Sequence, residues 1–315
     1  MNKYILAIET SCDDTAVAVL KEKEIIVNLI SSQLSHEEYG GIVPEIAARE
    51  HVKVINYLID QAIDQAGITA DDISHVSVTK TPGLIGSLLV GINTAEIFAL
   101  SKNISISYVN HIIGHVYANF VEDEPKYPFL ALVISGGHTQ LMKFNSINNF
   151  EVLHQTEDDA IGETYDKVGK MLGLPYPAGP HIDKIVNECD SDELIPMPKI
   201  NLVQNYSFSG IKTHMLNLIN QSKMKNSFLD IPVLLKSFQI ASIKQLFIKI
   251  DQELVKDNYN QLLICGGVSA NSQIRREIKK YEDRKIQVLI PDINLTVDNA
   301  AMIGLADYYL MKEGK

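Results

Sequence analysis

The chain has 315 residues and a mass of 35.1 kDa, more than one compact core normally takes up, so two domains are expected. A hydrophobic content of 46% with 21% charged residues excludes a disordered chain, and a net charge of -11 with a pI near 5.3 excludes a globally basic binder of nucleic acid or anionic membrane. The three cysteines, Cys12, Cys189 and Cys265, lie too far apart for a disulfide framework or a cysteine zinc site, which suits a reducing compartment.

In chain order, Tyr4 to Ile8, the polar turn Glu9 to Thr15, and Ala16 to Leu20 read as strand, turn, strand, and Ile25 to Ile30 adds a third strand. The apolar start is short and is cut by Glu9, so it is no targeting segment. The chain turns around Gly40-Gly41, and Pro44 opens a helix that runs to Ala66 and stops at Gly67. A strand at Val76 to Thr79 leads through the loop Thr81 to Gly86 into an apolar run that ends at Leu100. That run contains Asn93 and Glu96 and reads as a buried helix rather than a membrane span, so a cytoplasmic protein is expected.

Ile104 to Val109 is the next strand, and it delivers the chain to His111 and His115. Four residues apart on a helix, two imidazoles stack on one face and can grip one metal ion; the same spacing also suits two histidines that hydrogen-bond at a domain junction. The position, at the end of a strand, is where open α/β sheets place ligands. The pair is not a zincin motif, because Ile112 stands where that motif has its glutamate base. A metal would need a third ligand from elsewhere. Asp298, at the start of the terminal helix, is a candidate, and it reads equally well as an N-cap.

Beyond the stretch Glu122 to Pro128 the plan recurs: Phe129 to Ile134, the turn Ser135-Gly-Gly-His138, and Thr139 to Phe144 are again strand, turn, strand. This pattern predicts an internal duplication, with two related domains facing each other across a cleft. The second half then reads as mainly helical, with helices at Ile161 to Leu172 and Ile182 to Asn187 around the loop Pro175 to Pro180. An irregular stretch covers Asp190 to Tyr206, and a long amphipathic segment covers Val233 to Leu254. Gln261 to Cys265 is a strand that breaks at Gly266-Gly267 before a helix beginning near Ser272, and Ile286 to Ile290 is the last strand. Three turns rich in Gly, Ser and Thr, at Glu9 to Thr15, Ser135 to Thr139 and Gly266 to Asn271, suit a nucleotide or acyl phosphate, although each alone could be a plain turn. The acidic patch Glu157-Asp158-Asp159 with Asp166 reads either as solvated surface or as a holder of a ligand hydroxyl or amine.

Glu9-Thr-Ser-Cys-Asp-Asp-Thr15, Gly40-Gly-Ile-Val-Pro-Glu45, Pro82 to Gly86, His111 to His115, Ser135 to Gln140, Tyr206 to Thr213, Gly266 to Asn271 and Asp298-Asn299 together resemble the tRNA threonylcarbamoyladenosine transferase family, formerly labelled glycoproteases. The resemblance implies an α/β fold made of duplicated ribonuclease-H-like domains of the actin, sugar kinase and heat-shock chaperone type. The expected division is residues 1–108 with 299–315, against 109–298 with helical insertions. The implied reaction moves a threonylcarbamoyl group from threonylcarbamoyl-adenylate to the exocyclic amine of the adenine 3' to the anticodon, in tRNAs reading codons that begin with adenine. His111, His115 and Asp298 would hold the family's iron(II) or zinc(II). Val133, Ile134, Ser135, Gly136, Gly137, Asp166, Gly179, Asp183 and Asn271 would bind the adenylate, in a cleft that ATP or ADP could also occupy. No general base is assigned.

The implied partners are tRNA, a degenerate paralogous subunit and a small P-loop ATPase, with no membrane. The acidic total leaves only Arg275-Arg276, Lys279-Lys280 and Arg284-Lys285 as a local basic cluster for tRNA, itself readable as a solvated helix face. The sequence departs from the family at Asp14, Ile113, Ala178 and Ala300. A metalloendopeptidase and a non-catalytic ATP-binding assembly subunit are the competing readings. The first lacks the glutamate base; the second would be expected to have lost the metal ligands.

Overall fold

Apolar residues at successive positions of a strand bury both faces of a sheet, and the first strand does this from its second residue. In a computed structural model, which describes residues 4–33, 42–198, 205–284 and 286–314, β1 (Tyr4–Glu9) sends Leu6 and Ile8 to one face and Ile5 and Ala7 to the other. The expected turn at Gly40-Gly41, part of the irregular stretch, and Lys285 lie outside the described residues. β2 (Asp14–Lys21) and β3 (Glu24–Ser32) follow antiparallel, while β4 (Ile73–Thr81) and β5 (Ser105–Asn110) add in parallel on the other side, giving the order β3-β2-β1-β4-β5.

The second sheet repeats this plan. β6 (Phe129–Ile134), β7 (Thr139–Ser146) and β8 (Asn149–Gln155) are antiparallel neighbours, and β9 (Gln261–Cys265) and β10 (Gln287–Leu289) pair in parallel, in the order β8-β7-β6-β9-β10. Strand order and strand directions match one for one, so the architecture is the duplicated α/β fold expected. β8 has no counterpart in the sequence reading. Its first four residues, Phe150 and Val152 included, are exposed at the sheet edge, so it lacks the in-out alternation that marks a half-buried strand.

Around the first sheet lie α1 (Pro44–Gln65) and α2 (Ile85–Lys102), packed with Leu6, Ile8, Val17 and Val19 into one core. The run ending at Leu100 was expected to be a buried helix, but Ile85, Leu89, Ile97 and Leu100 of α2 are exposed, on a face that also carries Asn93 and Glu96. On the opposite face β1 and β2 meet α9 (Ala300–Glu313), whose Ala300 and Ala301 let the helix approach closely. α3 (His111–Tyr117) packs against α9, and a Cβ added at Gly114 would come within 2.9 Å of Ile303.

The second sheet carries α4 (Ile161–Met171), α5 (Ala178–Asn187), α6 (Ser209–Lys225), α7 (Ile231–Lys256) and α8 (Ser272–Ile278). The expected loop Pro175 to Pro180 thus ends early, since α5 begins at Ala178. α7 is long and apolar enough to cross a membrane, but 61% of its apolar window is buried inside the protein, where Leu234, Phe238 and Leu246 join the core.

The chain divides into two compact units, residues 1–125 with 291–315 and residues 126–290. The boundaries differ from the expected 108/109 and 298/299. The histidine helix and the segment before α9 belong to unit 1, because Gly114 permits α3 to lie against the terminal helix.

Gly304 tests this packing. Its Cβ would sit 2.4 Å from Leu20 Cδ1, so the fully buried Leu20 side chain would have to shift. Gly304→Val is expected to cost unit 1 roughly 1–3 kcal/mol of stability by chemical denaturation; an unchanged midpoint would show that α9 is not seated on β2.

Candidate functional site

In unit 1, Asn110 ends β5 and caps α3, its side chain accepting from the amides of Ile112 at 2.8 Å and Ile113 at 3.3 Å. The cap sets the helix phase, so His111 is the first helical residue and His115 lies one turn on, with ring centroids 4.7 Å apart and planes 85° apart. Asp298 Oδ1 stands 3.0 Å from His115 Nε2 and 3.5 Å from His111 Nε2. All three candidate donor atoms lie within 4.8 Å of one another. Asp298 is not the N-cap of the last helix. Asn299 does that work by accepting from the amide of Met302 at 3.0 Å, which leaves the neighbouring carboxylate for the histidines.

Behind His111 lies Glu9, completely buried at the end of β1. Its carboxylate accepts from the amide of Ser11 and the hydroxyl of Thr79, and stands 3.1 Å from His111 Nδ1. Ser11 Oγ is also 3.1 Å from that nitrogen. Burial alone would push the Glu9 carboxyl up, but the charge and hydrogen bond of His111 hold it below the usual range. Burial would likewise lower His111, yet Asp298 and Glu9 raise it to about 9. The sequence reading treated Glu9 as part of a turn. The signal it carried was a carboxylate directly after an apolar strand.

The donor set fits a divalent metal. Glu9 engages Nδ1 of His111 and leaves Nε2 facing Asp298, the arrangement by which a carboxylate fixes the tautomer and orientation of a metal-binding imidazole. His115 Nδ1 is buried with no hydrogen-bond partner among the described residues, so its Nε2 is the nitrogen engaged. Two imidazoles and one carboxylate leave coordination positions open for a substrate. Asp14 is pushed up to about 6 by burial, opposed by a hydrogen bond to Ser32 and aided by Asp13, Asp298 and Glu9.

In unit 2, the residues expected around an adenylate fall into three contacting groups. The turn after β6 is closed by Ser135 N donating to the His138 carbonyl at 2.8 Å, and a Cβ on Gly136 or Gly137 would meet nothing within 4 Å, so the backbone there is open to a ligand. α4 starts directly beneath, where a Cβ at Gly162 would lie 2.6 Å from the Ser135 carbonyl oxygen. Val133 and Ile134 have no exposure, and their side chains belong to the core, so they position this turn rather than offer groups to a ligand. Asp166 accepts from the amide of Ala178 at 2.7 Å and so fixes the start of α5, where Gly179 has open space around it.

Asp183 and Asn271 are in direct contact at 3.0 Å. Asp183 also accepts from the amide and hydroxyl of Ser272 and from Gln239 Nε2, while Asn271 caps α8 and donates to Gln239 Oε1. Gln239 was not foreseen; it lies within the long apolar helix α7, where a buried polar residue is the only clue. Asp158, from the acidic patch, serves structure by accepting from Ser207, Phe208 and Ser209 at the start of α6, and Asp159 pairs with Lys167 and Lys212.

The raised pKa of His111 has a measurable sign. In metal-free protein its protonation stabilises the fold fully below about pH 6.5, and that contribution is lost as pH rises through about 9. Metal-free protein should therefore lose stability over that range, and His111→Gln should flatten the loss in thermal melts; an identical slope in the variant would refute the assignment.

A family model described as TsaD, tRNA N6-adenosine threonylcarbamoyltransferase, matches residues 24–305. The enzyme of that name from Fusobacterium nucleatum is 45% identical over 99% of this chain and 92% of its own length, and that from Geobacillus kaustophilus is 43% identical over 99% and 93%. Among solved structures, component A of the Acidaminococcus fermentans (R)-2-hydroxyglutaryl-CoA dehydratase superposes with a TM-score of 0.60 at 14% identity, covering 99% of this chain and 100% of its own. The ROK hexokinase of Thermus thermophilus does so with a TM-score of 0.52 at 10% identity, covering 99% of both chains. These structural likenesses show the shared actin and sugar kinase type of fold. On the family match and the full-length identities, the chain belongs to the tRNA N6-adenosine threonylcarbamoyltransferases, enzymes that modify tRNA.

Proposed function

We propose that this chain forms the bond between the exocyclic amine of the adenine 3' to the anticodon and the carbonyl carbon of threonylcarbamoyl-adenylate, in tRNAs that read codons beginning with adenine. The carbon–nitrogen bond forms as the bond from that carbon to the phosphate oxygen breaks, AMP departs, and the amine gives up one proton to water. The observation that carries the metal-assisted form of this reading is the triad His111, His115 and Asp298 with Glu9 behind it. When bound there, iron(II), in preference to zinc(II), supplies Lewis acidity and a template for the phosphate or carbamoyl oxygens. His111 and His115 present neutral nitrogens to it, and Glu9 keeps the His111 ring in register.

The open turn Ser135 to Gly137 offers backbone amides to the adenylate phosphate, and Asp166, Gly179, Asp183 and Asn271 receive the rest of the nucleotide. ATP or ADP would fit the same groups. A paralogous degenerate subunit and a small P-loop ATPase complete the enzyme, in the cytoplasm and without a membrane. The exposed apolar residues Ile85, Leu89, Ile97 and Leu100 on α2, with Val52 and Tyr57 on α1, support a docked protein partner.

Reconstitution with labelled threonine, bicarbonate, ATP and tRNA, with and without the partner subunits, tests the reaction and the assembly together. Full-rate modification by the single chain would exclude the partners. His111→Ala with His115→Ala should abolish bound metal by elemental analysis and lower transfer by at least about a hundredfold; undiminished transfer without metal would exclude the metal role. Asp183→Ala removes an acceptor shared by three residues and should weaken adenine-nucleotide binding roughly tenfold or more, measured by calorimetry.

A further inference from the structure

The net charge of -11 hides an uneven division. Unit 1 carries nine lysines and arginines against twenty-one aspartates and glutamates, whereas unit 2 carries nineteen against eighteen. A polynucleotide phosphate therefore finds its welcome on unit 2. Within unit 2 the basic cluster expected at the 275–285 segment breaks up. Arg275 is turned inward, its Nε donating to the Ser269 carbonyl at 3.0 Å, and Arg284 is paired with Asp251.

Arg276 and Lys280, one turn apart on the stretch that begins with α8, instead line a cavity of about 400 Å³ together with Lys236 from α7 and Asn187 from α5. Lys236 stands outside the sequence cluster by forty positions. Lys280 is offset by Glu277 in the same wall. Lys236 and Arg276 pair with no carboxylate among the described residues: the first donates to the Ser191 carbonyl, the second to Asn187 Oδ1 at 3.3 and 3.2 Å. Each keeps spare donors, an ammonium having three and a guanidinium five.

We propose that this cavity is a phosphodiester-binding subsite for the tRNA substrate, a step that rests on the transferase reading above. Lys236 supplies a half-buried point charge, Arg276 a planar fork, and Lys280 a third donor at the rim. The subsite is wired to the nucleotide residues. Arg276 donates to Asn187, Asn187 Nδ2 donates to the Ser272 hydroxyl, and that hydroxyl donates to Asp183. A phosphate that draws Arg276 away from Asn187 therefore alters the hydrogen bonding of Asp183, so backbone binding and adenylate binding are coupled.

The test is the salt dependence of tRNA affinity for the full chain, with its partner subunits where reconstitution requires them. It compares the wild type with Lys236→Ala, Arg276→Ala and the charge-keeping Lys236→Arg. Each alanine should lower the slope of log affinity against log salt by about one, so that its defect relative to wild type shrinks roughly threefold between about 50 and 200 mM salt. Lys236→Arg should restore the slope, and the effect should be equal for tRNAs of different sequence. Wild-type protein that binds no tRNA would overturn the transferase reading and this subsite with it. Wild-type binding with unchanged slopes in the alanine variants would overturn the subsite alone. Weakened subunit assembly at an unchanged tRNA slope would also overturn it, assigning the cavity to an acidic protein surface instead.

Discussion

A carboxylate with no exposure to water, Glu9, is the constraint on which unit 1 depends. Burying it is costly unless every oxygen is answered, and three groups from three places answer it: the Ser11 amide, the Thr79 hydroxyl and the His111 ring. The first curls the chain after β1, the second ties β1 to β4, and the third sets the direction of the histidine helix. The candidate triad's first histidine is therefore anchored to the sheet and does not rest on a seven-residue helix that could not hold its own shape. Asn110 and Gly114 complete the arrangement, one by fixing where α3 starts and the other by letting it lie against α9.

The two units share one topology and have spent their first turns differently. After β1 the turn folds over a buried anion and gathers groups suited to a cation. After β6 the equivalent turn, Ser135 to His138, leaves two glycines bare and gathers groups suited to an anion. The charge division follows the same line, with the acidic excess in unit 1 and near neutrality in unit 2. The same scaffold thus occurs twice, with different groups at corresponding positions of it.

What could be read from the sequence was whatever a local pattern encodes. Strand, turn and strand at both ends of the repeat were visible because buried strands make apolar runs, and His111 with His115 stood out by spacing. Asp298 was singled out as cap or ligand, and the cap reading fell because Asn299 takes the cap, which only the backbone reveals. Glu9 and Gln239 escaped because their roles arise from partners about 100 and 32 residues away. β8 escaped because an edge strand need not alternate, and the unit boundary because it follows helix packing rather than composition. The outward apolar residues of α2 looked like core, since hydrophobicity alone does not say which face of a helix meets water.

Residues 126–290 form one continuous segment, whereas unit 1 is closed by residues 291–315. During synthesis from the N-terminus, unit 2 can be complete as soon as it has left the ribosome, while β1 to β5 wait with one face of their sheet uncovered until α9 arrives. Asp298 travels with that final segment. The candidate triad of His111, His115 and Asp298 is thus complete only once residues 291–315 have joined unit 1, and a chain that stops before Asp298 holds the two histidines without that carboxylate.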